Sequence, residues 1–295
     1  MKVFITGGTG FIGSAVVSEL LESGHRVIAL ARSEESANKL RTFGSGVDVL
    51  YGDLNDHESL KKGVTQSDGV IHLGFIHDFS RFEECCKIDQ TAVLCMLESM
   101  RGTNKPFVYA NGLLWLPEGR LCDEDIRRDP EVQVTRAITE ELILGYQDKG
   151  VKTMIIRLGA SVHGKGDHAF IPSLIEIARS SGNSAYIGDG HNSWPAVHRL
   201  DAARLFSIAL EHGSAGGVYH AVAESVSTKS IAQAIGTGLT LPLISVPPEE
   251  ASKQFSFMTM FLSRDVQVSS EKTRTELRWY PREMGLLEDM RANYI

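Results

Sequence analysis

The feature that most constrains this chain is a glycine-spaced turn near its start. The apolar run Val3-Phe-Ile-Thr6 is followed by Gly7-Gly-Thr-Gly-Phe-Ile-Gly13 and then by the helix-forming stretch Ser14-Ala-Val-Val-Ser-Glu-Leu-Leu-Glu22. Strand, glycine turn and helix in that order build an anion site. Gly7 permits the tight turn out of the strand, Gly10 lets backbone approach a pyrophosphate, and Gly13 lets the helix pack close to the sheet with its first amides aimed at the charge. Thr9, Phe11 and Ile12 line the same turn. A glycine triplet alone says little, but one placed between strand and helix points to a bound dinucleotide.

Length and composition narrow the rest. With 295 residues and 42% hydrophobic content, the chain can bury a sizeable core. A net charge of −7 argues against nucleic acid or an anionic membrane surface as partner. The first strand begins at Lys2, and no apolar run reaches a membrane span, so neither a cleavable leader nor a membrane anchor is expected. Cys85, Cys86, Cys95 and Cys122 show no metal spacing and include an adjacent pair, which points to a reducing compartment and a cytoplasmic protein. No metal site is expected, because no i, i+4 histidine pair comes with a third ligand.

Apolar runs at 3–6, 27–31, 47–51, 69–73, 107–110 and 153–157 alternate with helical stretches at 11–23, 34–42, 56–64, about 81–102 and about 131–149. Alternation of this kind predicts an α/β fold: a Rossmann-type doubly wound parallel sheet. Beyond 157 the rhythm fades into loops, with helices at 169–180 and 199–211. We therefore expect a nucleotide-binding domain over 1–157 and a smaller C-terminal substrate lobe over 158–295, interleaved around a shared core.

The ligand's identity turns on the end of the second strand. NAD sites usually place an acid there, about 20 residues past the glycines, for the ribose 2′-hydroxyl. Here the strand ends Ala29-Leu-Ala31 and Arg32-Ser33 follow. A cation in place of the acid suits a 2′-phosphate, with Ser33 as a second donor, so NADP(H) is expected, with NAD(H) as the alternative.

The pattern Thr-Gly-x-x-Gly-x-x-Gly, read here from Thr6 to Gly13, resembles that of the extended and atypical short-chain dehydrogenase/reductase superfamily, the NAD-dependent epimerase/dehydratase kind. The resemblance implies that Asp53 and Leu54 flank the adenine, that Leu73 and Gly74 pass under the ribose, and that the segment Arg157-Leu-Gly-Ala-Ser-Val-His-Gly164 lines the nicotinamide end, with Leu158 and Ala160 against the cofactor. Such enzymes usually carry a Tyr-x-x-x-Lys pair. In this chain the fourth residue after Tyr51, Tyr109, Tyr146, Tyr186, Tyr219 and Tyr280 is never lysine, and Tyr294 is next to last. Aligning the helix near 131 with the family places Val132 at the tyrosine, Arg136 at the lysine and Gly112 at the usual serine. Valine has no proton to give, whereas Arg136 keeps a charge that can bind the cofactor ribose.

Another group must then meet the substrate. His163 and His168 are the candidate proton donors, since histidine titrates near neutrality. Phe75, His77, Asn111, Trp115, Phe170 and Trp194 are candidates for the pocket wall, with Phe79 and His198 nearby. The expected activity is reduction of a small or medium-sized carbonyl or enone metabolite. A redox-neutral isomerase, epimerase or cyclase on the same scaffold, or a non-catalytic NADP(H)-binding sensor, are the alternatives. Relatives often pair through their long helices, so a homodimer is a further expectation.

Overall fold

The apolar strand runs become the core of one parallel sheet because residues such as Val27-Ile-Ala-Leu-Ala31 present no polar side and need cover on both faces. In the computed structural model, β1 (Lys2–Thr6), α1 (Phe11–Glu22), β2 (Arg26–Ala31), α2 (Glu34–Arg41), β3 (Val47–Tyr51), α3 (His57–Thr65), β4 (Gly69–His72), α4 (Phe82–Met100) and β5 (Pro106–Gly112) alternate without interruption. After β6 (Leu121–Cys122) come α5 (Thr135–Leu144), β7 (Lys152–Leu158), β8 (Ser161–His163), α6 (Phe170–Ser181), β9 (Ser184–Ile187), β10 (Ser193–His198) and α7 (Arg199–His212). The chain then forms β11 (Gly217–Ala221), β12 (Glu224–Ser227), α8 (Thr228–Leu239), β13 (Leu243–Val246), α9 (Ala251–Phe255), α10 (Thr259–Leu262), β14 (Gln267–Val268), α11 (Glu271–Leu277) and α12 (Leu286–Asn293). The structure describes residues 1–295 apart from the side chain of Phe79, so the pocket expectation for Phe79 lies outside the described residues.

The main sheet has seven strands in the order β11-β7-β5-β4-β1-β2-β3, all pairs parallel. This is the doubly wound arrangement the alternation predicts. The order of strand addition reverses between β1 and β4, with β2 and β3 added on one side and β4 onward on the other, and that switch point is where such sheets open a crevice at their carboxyl edge. The helices α1, α2 and α7 bury one face of the sheet, and α3, α4 and α5 the other. Local signals set the helix starts: Ser33 accepts from the Ser36 amide at 3.2 Å to begin α2, and Asp56 accepts from Ser59 at 3.1 Å to begin α3.

One helix starts later than expected. The segment near 131 is a loop, and α5 begins at Thr135. Asp129 turns the chain, its carboxylate accepting from the Glu131 amide at 2.9 Å and its carbonyl from Val132 at 3.0 Å. The Arg128 guanidinium then donates to the Val132 carbonyl at 2.9 Å, and an amide or carbonyl used in this way is lost to a helical ladder. Val132 is thus in a pinned turn rather than a first helical turn.

Beyond β7 the chain builds a second core from α6, α8, α9 and α10, with the small sheet β12-β10-β8 and the pair β13-β9. It also sends β11 and α7 back to the main sheet, so the two halves interleave. Among the described residues, no helix is long and apolar enough to cross a membrane.

Candidate functional site

At the switch point, the turn after β1 is shaped by what its glycines leave out. Gly7 has φ +74°, and a Cβ there would lie 2.8 Å from the Gly74 nitrogen and the Leu73 carbonyl carbon. A Cβ on Gly13 would run into the Gly7 carbonyl oxygen, so α1 can lie this close to the turn only with glycine. The Gly10 amide donates to that same oxygen at 2.9 Å. No side chain caps the first turn of α1 and no acid stands in it, which leaves its amides and the positive end of the helix dipole open to an anion. These residues fit a dinucleotide pyrophosphate.

The adenine side lies along the ends of β2, β3 and β4. Arg32 stands exposed directly after β2. Ser33, by contrast, uses its hydroxyl to cap α2 and to donate to Ser36 Oγ at 3.2 Å. Asp53 is exposed and folds back on the Asn55 amide at 2.7 Å, while a Cβ on Gly74 would come within 3.3 Å of Leu54 Cδ2. Leu54 and the backbone of Leu73 and Gly74 therefore crowd one spot beside the turn.

Beneath the turn runs a buried polar chain that sequence reasoning missed. The Gly74 amide donates to Thr6 Oγ1 at 3.0 Å, and Thr6 Oγ1 is 2.7 Å from His72 Nδ1. His72 Nε2 is 3.1 Å from Asp89 Oδ1, and the Tyr109 hydroxyl donates to Asp89 Oδ2 at 2.6 Å. Arg136 closes the chain with Nη1 3.0 Å from Asp89 Oδ2 and Nη2 donating to the Ala110 carbonyl at 2.8 Å. Burial pushes the Asp89 carboxyl up, but the Arg136 charge and the bonds from His72 and Tyr109 outweigh it and hold the group below its ordinary value. Burial, followed by Asp89, drives Tyr109 well above the usual phenol range, so it stays a neutral donor. The one signal for Asp89 in the sequence was an acid among the apolar residues Cys85, Cys86, Ala92, Val93, Met96 and Leu97 that share the buried face of α4.

Arg136 also forms the floor of the site's mouth. Its guanidinium carbon lies 4.1 Å from the centre of the Phe75 ring, and Phe75 meets His77 edge-on at 5.1 Å. Phe82 continues the wall, 6.1 Å from Phe75 and 6.3 Å from the half-buried Trp115. On the other side, exposed His168 meets Phe11 of the glycine turn at 6.1 Å, and Arg199 lies over the same ring at 5.1 Å. Packing around the His77 imidazole, then the charges of Arg136 and His168, lower its pKa from the ordinary histidine value.

The remaining expected residues stand elsewhere. His163 is 1% exposed at the end of β8, and its Nδ1 is 2.7 Å from the fully buried carboxylate of Asp289 on α12. Trp194 is in the second core rather than on a pocket wall, fully buried and donating its indole N–H to Ser161 Oγ at 2.8 Å. Phe170 packs on Phe261 at 4.6 Å beside it. Asn111 donates to Glu140 at 2.8 Å, and Glu140 in turn accepts from Arg157 Nε at 3.1 Å, a buried network reaching His220. Leu158 ends β7 in register with Gly112, and Ala160 packs against the second core. Among the described residues, no group of three or more His, Cys, Asp or Glu is placed to hold a metal ion.

A family model described as the NAD dependent epimerase/dehydratase family matches residues 3–223. An uncharacterized protein of Saccharomyces cerevisiae is 54% identical over 295 residues, covering 100% of this chain and 99% of its own. The 2-alkyl-3-oxoalkanoate reductase of Stenotrophomonas maltophilia is 27% identical over 282 residues, 88% of this chain and 80% of the reductase. Among solved structures, the dTDP-glucose 4,6-dehydratase of Bacillus anthracis in complex with NAD superposes with a TM-score of 0.76 at 18% identity, covering 99% of this chain and 95% of that one. At that identity the likeness shows the fold.

Proposed function

The chain belongs to the NAD dependent epimerase/dehydratase family, and from that premise we propose that it is an NADP(H)-dependent oxidoreductase that reduces a small or medium-sized carbonyl or enone metabolite without a tyrosine as proton donor. The observation that carries this reading is the glycine cradle at the switch point with exposed Arg32 where an NAD site usually has an acid. The amides of Phe11, Ile12 and Gly13 bind the pyrophosphate, and Arg32 pairs with the 2′-phosphate. A nicotinamide cofactor held in this way supplies or accepts the hydride. Phe75, Phe82 and Trp115 wall the adjoining mouth and keep water from the reacting carbon. The name of the Stenotrophomonas relative, an oxoalkanoate reductase, supports a carbonyl substrate. The four free cysteines suit a cytoplasmic setting.

Calorimetric titration with NADPH and NADH, followed by a carbonyl panel read at the reduced-nicotinamide absorbance band, tests the reading. Tighter binding of NADPH and consumption with at least one carbonyl are expected. Binding of neither nucleotide, or preference for NADH, overturns it. A redox-neutral isomerase is the second reading, favoured by the epimerase in the name of the matching family. It predicts product formation with no net change in that absorbance.

A further inference from the structure

With Val132 in a turn and no Tyr-x-x-x-Lys pair in the sequence, the site still has to pass a proton. Three histidines compete for that role. His163 is sealed, 1% exposed with Asp289 on its Nδ1. His168 is exposed and faces the glycine turn through Phe11. His77 is different: it follows β4 at the carboxyl edge of the sheet, presents part of its surface to solvent, and packs on Phe75, whose ring also carries Arg136.

We infer that His77 is the residue that exchanges a proton with a carbonyl-class substrate at the nicotinamide end of the cradle, in the place left by the absent tyrosine. The inference rests on the nicotinamide-binding reading above. A hydrogen bond to the Phe75 backbone orients the imidazole. The charged and titratable groups that act on it are Arg136 from α5, His168 from the loop before α6, and Asp89 from α4. Arg136 is fixed by Asp89 and the Ala110 carbonyl, so its charge cannot swing away. A fixed cation beside an imidazole makes the imidazolium a stronger acid.

With the cofactor bound, the hydride it would supply would form the C–H bond at the carbonyl carbon as the C=O π electrons pass to oxygen, and the His77 imidazolium gives that oxygen its proton. The neutral ring then takes up one proton from the bulk solvent, so each carbonyl reduced consumes one hydride and one proton. In the oxidative direction neutral His77 takes the proton from the alcohol.

The test reads placement without needing a substrate. NADP+ carries a positive nicotinamide and NADPH a neutral one, so a histidine beside that ring makes NADP+ binding weaken more than NADPH binding as it protonates. The 2′-phosphate is common to both and cancels in the ratio of their Kd values. Calorimetry from pH 8 down to pH 5 is expected to show Kd(NADP+)/Kd(NADPH) rising by about threefold or more in the wild type, and staying flat in His77→Asn and His77→Gln. In a second measurement on the wild type, NADP+ shifts the His77 side-chain resonances in an NMR spectrum of histidine-labelled protein, whereas adenosine 2′,5′-bisphosphate, which lacks nicotinamide, binds without moving them. A flat ratio in the wild type, a ratio unchanged by both substitutions, or His77 resonances indifferent to bound NADP+ overturns the inference while leaving cofactor binding in place. Failure of NADP+, NADPH and the bisphosphate all to bind overturns the cofactor reading itself, and the inference with it.

Discussion

Arg136 Nη1 lies 3.0 Å from Asp89 Oδ2, and the Asp89 carboxylate has no solvent exposure. A cation and an anion that reach this depth are stable only as a pair, because each alone would carry its full desolvation cost. The pair joins α5 to α4 and supports Phe75 from below.

Removing either partner is therefore expected to destabilise the protein by about 3–5 kcal/mol. In urea unfolding, Asp89→Asn and Arg136→Met should each show a loss in that range. The double variant should lose less than the summed singles by about 1–3 kcal/mol. Strict additivity would show that the two side chains do not depend on each other.

Gly13 and Gly10 differ in what surrounds them. A Cβ on Gly13 runs into the Gly7 carbonyl, whereas one on Gly10 meets only that oxygen, at 3.2 Å. Gly13→Ala should lower Tm far more than Gly10→Ala, by separating α1 from the turn. Thermal melts of the two variants check the order, and equal losses would contradict the packing argument.

Arg32 is exposed, so its removal should leave folding alone. Arg32→Ala is expected to weaken NADPH binding by about tenfold, the loss of one charge-assisted contact, with NADH binding unchanged. A parallel loss for both nucleotides would place Arg32 away from the 2′-phosphate.

His220 provides the pH dependence. Burial, then the Arg157 charge, push it down to about 3 from an ordinary 6.5. The unfolded chain thus binds this proton before the folded one does, so stability is intact above about pH 6.5 and is lost as pH falls toward 3. The full penalty is roughly 4–5 kcal/mol. His220→Asn removes the titration, and its denaturant midpoint should fall less between pH 7 and pH 5 than that of the wild type.

Six strands of the main sheet were legible because each is a short, nearly unbroken apolar run followed by a turn. The seventh was not. Gly217–Ala221 contains Tyr219 and His220, whose polarity hides a strand until Arg157, Thr273 and the Ser269 carbonyl are seen to satisfy it. The start of α5 was obscured in the opposite way: the Glu131-Val-Gln-Val run has helical spacing, yet two β-branched valines and the Asp129-Pro130 turn hold it out. At the site, the glycine turn was legible because its geometry is local. The partners of His163 and Arg136 were not, since Asp289 and Asp89 are far away in sequence and only folding brings them near.

The return of β11 to the edge of the main sheet also bears on synthesis. A nascent chain that has just completed β7 carries a buried-type strand with an open edge, Lys152–Leu158, and its partner Gly217–Ala221 is still to be translated. At about 5–20 residues per second, several seconds pass before that partner exists. Throughout that interval the apolar edge is available to other chains, so the ribosome-bound intermediate is the form of this protein most in need of a chaperone.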